Sequence, residues 1–163
     1  MGTRFNADEI FEMAERIERN GRRFYLAAAE NTDNEELERM FRELAEIESE
    51  HEELFHKKRK ELSDKEAPDG GYDPDWDVPR YLDSLADTKV FKVHEDVSEE
   101  LNGDESPEEI LQMAIQAEKD SVVFYLGIKD SVAEAMGQDK VEWLIDQEMS
   151  HIDELRSLFQ KLV

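Results

Sequence analysis

The feature that most constrains this chain is a correspondence with itself. Slid along its own length by one hundred positions without a gap, it meets identical residues again and again. Glu9, Ile10, Met13, Ala14, Glu18, Phe24, Tyr25, Leu26, Leu44, Glu48 and His51 fall on Glu109, Ile110, Met113, Ala114, Glu118, Phe124, Tyr125, Leu126, Leu144, Glu148 and His151. The starts correspond as well. Asn6 with Glu9, and Ser106-Pro107 with Glu109, both read as a helix cap followed by a Glu at the third helical position. The chain is a duplication.

Each half reads as a helical hairpin. From about 7 to 31, Ile10, Ala14, Ile17, Gly21, Phe24, Tyr25 and Ala28 recur at spacings of three and four. Asn31-Thr32-Asp33-Asn34 is a turn, and a second helix runs from about 34 to 62 through Leu37, Met40, Phe41, Leu44, Ile47 and Leu54. Helix three is expected from about 107 to 135, with Ile110, Leu111, Ala114, Ile115, Val122 and Tyr125 inward. Met136-Gly137-Gln138 breaks the pattern, and helix four continues through Val141, Leu144, Ile145, Ile152, Leu155 and Leu158. Between the hairpins (about 7–62 and 106–162) lie residues 63–105, which hold all but one of the prolines and a possible short helix at 79–86. A connection this long lets helices two and three run parallel, and Trp76, Val78, Tyr81, Leu82, Phe91 and Val93 could pack it on the bundle. The expected fold is all-α: a ferritin-like antiparallel four-helix bundle with a long crossover, one domain over 1–163.

Composition narrows the function classes. A net charge of −23 repels nucleic acid and anionic lipid while attracting cations. No apolar run reaches membrane-spanning length, no signal peptide opens the chain, and cysteine is absent, so cytoplasm is the expected location. Without cysteine there are no disulfides, thiolate zinc sites or iron–sulfur ligands.

The chemistry resides in Glu48-x-x-His51 and Glu148-x-x-His151, together with Glu18 and Glu118. Glu18 lies about eleven residues into helix one, ~16 Å from its start, and Glu48 about fourteen residues down the returning helix, ~15–18 Å above the same floor. The second half repeats the arithmetic, so four glutamates reach one layer. Glu and His three apart share a helical face. A third Glu-x-x-His, Glu53 with His56, has no counterpart at Asp153 and Arg156 and is read as solvated helix surface. Four ionised carboxylates in a core need compensation, which two divalent cations supply as +4 against −4. One Glu from each of two helices and a Glu-x-x-His from each of the others is a di-metal carboxylate ligand set, suited to iron or manganese and compatible with zinc.

Glu18-x-x-Gly21-x-x-Phe24-Tyr25 with Glu48-x-x-His51, and Glu118-x-x-Ser121-x-x-Phe124-Tyr125 with Glu148-x-x-His151, resembles the rubrerythrin and ferritin-like di-iron proteins. The resemblance implies that Glu18 with His51 completes one iron and Glu118 with His151 the other, Glu48 and Glu148 bridging them. It also implies that Tyr25 and Tyr125 hydrogen-bond ligand carboxylates. The implied activity is oxidation of Fe(II) by hydrogen peroxide or dioxygen, with electrons from an external donor such as a rubredoxin, in a homodimer or other small assembly. Two departures from the family stand out: there is no cysteine-rich rubredoxin domain, and Ser121 occupies the place of an extra Glu that takes part in redox-linked ligand exchange. The rival readings are a ferritin-type ferroxidase cage for iron storage, and a non-enzymatic scaffold or cargo bundle stabilised by its metals.

Overall fold

A computed structural model describes residues 7–64, 101–129 and 138–163. Four helices carry them: α1 (Ala7–Glu30), α2 (Glu35–Asp64), α3 (Pro107–Lys129) and α4 (Gln138–Leu162). The described residues contain no strand. The Asn6 cap, the side chain of Ile10, helix three beyond 129, the Met136-Gly137 break, the short helix at 79–86 and the crossover packing residues lie outside the described residues.

Local chemistry sets the helix starts. The Asn34 side chain accepts from the backbone N–H groups of Glu36 (3.0 Å) and Leu37 (3.1 Å), so α2 begins one residue beyond the turn's last Asn. At α3 the expected reciprocal cap forms. Glu109 N donates to Ser106 Oγ at 3.2 Å, and Ser106 N donates to the Glu109 carboxylate at 2.8 Å. Gly103 precedes this cap at φ 85°, a left-handed conformation that side chains disfavour. It sits beside Asn31, at the far end of α1.

These contacts define the topology. Taking α1 as running up, α2 comes down and brings Arg59 to Asp8 (3.0 Å) and Glu15 (3.1 Å) near the foot of α1. The chain re-enters at the top with Leu101 and Gly103, so α3 also runs down, parallel to α2. α4 rises until Lys161 meets Glu36 at 3.0 Å.

The core is layered along this axis. Phe24, Tyr25 and Phe41 form an upper aromatic layer, with Tyr25 and Phe41 stacked at 6.1 Å between ring centroids. Phe11, Phe55, Phe124 and Tyr125 form a lower one, where Phe11 and Phe55 stack at 5.7 Å. Two details depart from the sequence reading. Phe55, not Leu54, continues the inner face of α2, because it lies seven residues from Glu48 and four from His51, whereas position 54 is rotated away. Met40, Ile47, Ile115, Val122 and Ile152 are half-buried at the margins of the core rather than inside it.

Candidate metal centre

Between the aromatic layers lies a polar one. Glu18, Glu48, His51, Glu118, Glu148 and His151 are all buried, each on a different turn of four separate helices or paired one turn apart. All six candidate ligands named from the sequence meet here. Their ligating atoms form two overlapping groups, Glu18, Glu48, His51 and Glu148 in one, and Glu48, Glu118, Glu148 and His151 in the other. Within each group these atoms lie within 4.8 Å of one another. Glu48 and Glu148 belong to both groups.

The two histidine rings face each other across the centre, 5.8 Å between centroids and 19° from parallel. His51 Nδ1 stands 3.0 Å from the Glu18 carboxylate and 3.3 Å from that of Glu148. His151 Nδ1 lies 3.6–3.7 Å from Glu118, Glu48 and Glu148. Glu48 Oε1, Glu118 Oε2, Glu148 Oε1 and His151 Nδ1 are buried without a hydrogen-bond partner. Unpaired buried atoms of this kind are unfavourable. Acceptor lone pairs converging on shared points are what divalent cations satisfy, so the donor set fits two metal ions.

Electrostatics within the layer point the same way. Burial, then the neighbouring Glu148 and Glu18, drives Glu48 well above the ordinary carboxylate range. Burial and the Glu148 charge push Glu118 up to about 8. Burial pushes Glu148 upward too, yet its polar neighbours Glu118, His151 and His51 outweigh it and hold this carboxyl below its usual value. Burial opposes charge on both imidazoles, but the carboxylates gathered around them prevail. His51 rises to about 9 through Glu148 and Glu18, and His151 to about 10 through Glu118 and Glu148. Without a cation the layer therefore holds protons in its place, and metal uptake must release them.

Tyr25 and Tyr125 are wholly buried and donate to ligand carboxylates, as expected, but they do so crosswise. Tyr25 donates to Glu118, and Tyr125 to Glu18. The reason is directional. Side chains lean toward the N-terminus of their own helix. Tyr25 leans down from above while Glu118, on descending α3, leans up to meet it; Glu18 leans down toward Tyr125. Burial first, then Glu118 for Tyr25 and Glu18 for Tyr125, lifts both phenol pKa values well above normal, so both remain donors.

Residues 9–90 of this chain match the rubrerythrin family. The chain belongs to that family. Its fold also matches the crystal structure of a protein of Thermotoga maritima described as ferritin-like and diiron-carboxylate. That match has a TM-score of 0.72 and 30% identity, and it covers 100% of both chains. No curated protein sequence matches. For a rubrerythrin-family member, one contact went unread in the sequence. Trp143 of α4 meets His51 edge-on, 5.5 Å between ring centroids and 85° between planes, while remaining 44% exposed. No periodicity signals this, because it depends on how α4 is set against α2. Glu53 and His56 point away from the centre, as the rotation along α2 requires; the His56 side chain is 54% exposed, and Nδ1 lies 3.5 Å from Glu15. Among the described residues no helix is long and apolar enough to cross a membrane.

Proposed function

We propose that this rubrerythrin-family protein binds two iron ions and uses them to reduce hydrogen peroxide, drawing electrons from an external one-electron donor. The observation that carries the reading is the pair of overlapping ligand groups sharing Glu48 and Glu148. Manganese would suit the same oxygen-rich donors, and zinc would fit them without redox chemistry. Glu18 with His51 would hold one ion, Glu118 with His151 the other, and the shared carboxylates would set their separation. When bound, a ferrous pair supplies two electrons together, the number needed to convert hydrogen peroxide and two protons into two waters.

The protein's own residues do the rest. Glu118 and Glu18 are held in orientation by the Tyr25 and Tyr125 hydroxyls, a support that fixes a ligand and tunes its basicity. The aromatic layers above and below exclude water along the bundle axis. Trp143 covers His51 on the flank. A small assembly, a homodimer or similar, in the cytoplasm completes the reading.

Anaerobic loading with Fe(II), followed by stopped-flow oxidation with peroxide and with dioxygen, tests the function. Faster oxidation by peroxide is expected; a faster reaction with dioxygen contradicts the substrate. Light scattering should give a small oligomer. A particle of about two dozen subunits would instead favour ferritin-type storage.

A further inference from the structure

Ser121 is 1% exposed, and its hydroxyl has no hydrogen-bond partner. Serines inside helices usually satisfy themselves on the carbonyl one turn back. Ser157 does so here, donating to the Asp153 carbonyl at 2.9 Å. Ser121 does not, although burial makes the unmet hydroxyl more unfavourable than it would be at the surface. Its place on α3 is telling. Glu118 lies three residues before it and Tyr125 four after, and both face the metal layer. Its counterpart in the first hairpin is Gly21, where an added Cβ would stand only 3.0 Å from Glu48 Oε2. In the first hairpin a bridging carboxylate presses against bare backbone; in the second, the same position carries a side chain ending in a free donor.

From this geometry we infer that the Ser121 hydroxyl donates a hydrogen bond to the small oxygen-bearing ligand taken up by the metal pair, as a positioning residue on one side of the centre only. Glu148 is the other acceptor within the duplicated geometry, but Ser121 makes no hydrogen bond to it: Ser121 Oγ and Glu148 Oε1 are both without a partner. The ligand class is a small anion or neutral molecule with a lone pair on its metal-bound or adjacent atom, such as hydroperoxide, water or azide. The inference rests on the di-iron reading, and its test separates the two.

The decisive variant is Ser121→Ala, with Ser157→Ala as the control for a satisfied serine. Three measurements are made on each: melting of the metal-free protein, metal content after loading, and azide affinity of the oxidised, loaded protein read by absorbance titration. Ser121→Ala should melt no lower than the parent when metal-free, and up to roughly 2–4 °C higher, because an unmet buried hydroxyl has been removed. Its metal content should be unchanged. Its azide dissociation constant should rise ~tenfold. Ser157→Ala should leave azide affinity at the parental value. Normal metal content with unaltered azide affinity in Ser121→Ala overturns the inference while leaving the di-iron reading intact. A metal-free Ser121→Ala that melts clearly lower also overturns it, since the hydroxyl would then be serving the protein itself. A parent chain that takes up no metal pair removes the functional reading and this inference together.

Discussion

The two hairpins carry the same ligands in different frames. At the foot of the first, buried Glu15 is held by Arg59 at 3.1 Å, with Asp8 completing an ionic cluster. One hundred positions on, Glu15 becomes Ile115 and Arg59 becomes Phe159, both half-buried against the core. Beside the ligands, Gly21 becomes Ser121, and exposed Glu43 becomes Trp143 over His51. Four glutamates, two histidines and two tyrosines are unchanged. Ligand chemistry needs particular atoms at particular depths, whereas a helix flank can be closed by an ion pair or by apolar packing. Among the described residues, the large exposed apolar side chains fall mainly on the second hairpin, at Val123, Leu126, Trp143 and Met149.

The strongest way to break this comparison is to remove the crosswise hydrogen bonds. Tyr25→Phe deletes the donor to Glu118, and Tyr125→Phe the donor to Glu18. Each should weaken metal affinity ~10–100-fold, by similar amounts if the centre is symmetric. Calorimetric titration with a divalent metal checks this. A large loss in one variant and none in the other would show that only one tyrosine orients its ligand.

The hairpin frames should fail differently. Arg59→Ala strands the buried Glu15 carboxylate and should lower stability by about 1–3 kcal/mol, with a smaller loss when Glu15→Gln is already in place. Phe159→Ala should cost about as much through lost apolar burial, whether or not Glu15 is replaced. Urea denaturation of each variant with and without Glu15→Gln distinguishes them. Equal losses from Arg59→Ala in the two backgrounds would mean that the ionic cluster contributes little.

Gly21→Ala sharpens the comparison at the ligands. It replaces a helix-interior glycine, which should add up to ~1 kcal/mol to the metal-free fold. Its Cβ also crowds Glu48, at 3.0 Å from Oε2 and 3.2 Å from Cδ, so metal affinity should fall even as the empty protein melts higher. If affinity is untouched, Glu48 moves aside from the added Cβ at little cost.

The smallest effect concerns pH. His51 and His151 rise from 6.5 to about 9 and about 10, and Glu118 from 4.5 to about 8. In all three the folded state holds the proton more tightly than the unfolded one. Their contribution to the metal-free fold is therefore full below the ordinary values and is lost as pH rises through 8 to 10. Metal needs the deprotonated ligands and gains over the same range. The difference in melting temperature between loaded and metal-free protein should widen from pH 6.5 to 9; a narrowing gap would contradict the proton-for-metal exchange.

Much of this was legible in the sequence, for identifiable reasons. The ligands were found because spacing fixes a face, helical rise fixes a depth, and the duplication made coincidence untenable. The tyrosines were placed on the correct face, but their crosswise partners depend on the lean of side chains on antiparallel helices. Leu54 was preferred to Phe55 because both fit a loose apolar stripe, and only the rotation from His51 separates them. Trp143 against His51 and the unmet Ser121 hydroxyl required the packing of one helix on another, which no pattern within a single helix records.

Metal stoichiometry across two substitutions on one acidic helix tests the central claim most directly. Glu48 is buried in both ligand groups, while Glu53, five residues on, is exposed and paired with Lys57 at 3.0 Å. Each change to Ala removes one glutamate from α2. After anaerobic loading with Fe(II), the parent and Glu53→Ala should each bind two ions per chain and melt higher than when metal-free, by ~4 kcal/mol of stabilisation at a thousandfold excess over the dissociation constant. Glu48→Ala should lose the paired site and most of that gain. Equal metal content in the two variants, or no metal in the parent, would contradict the di-metal centre.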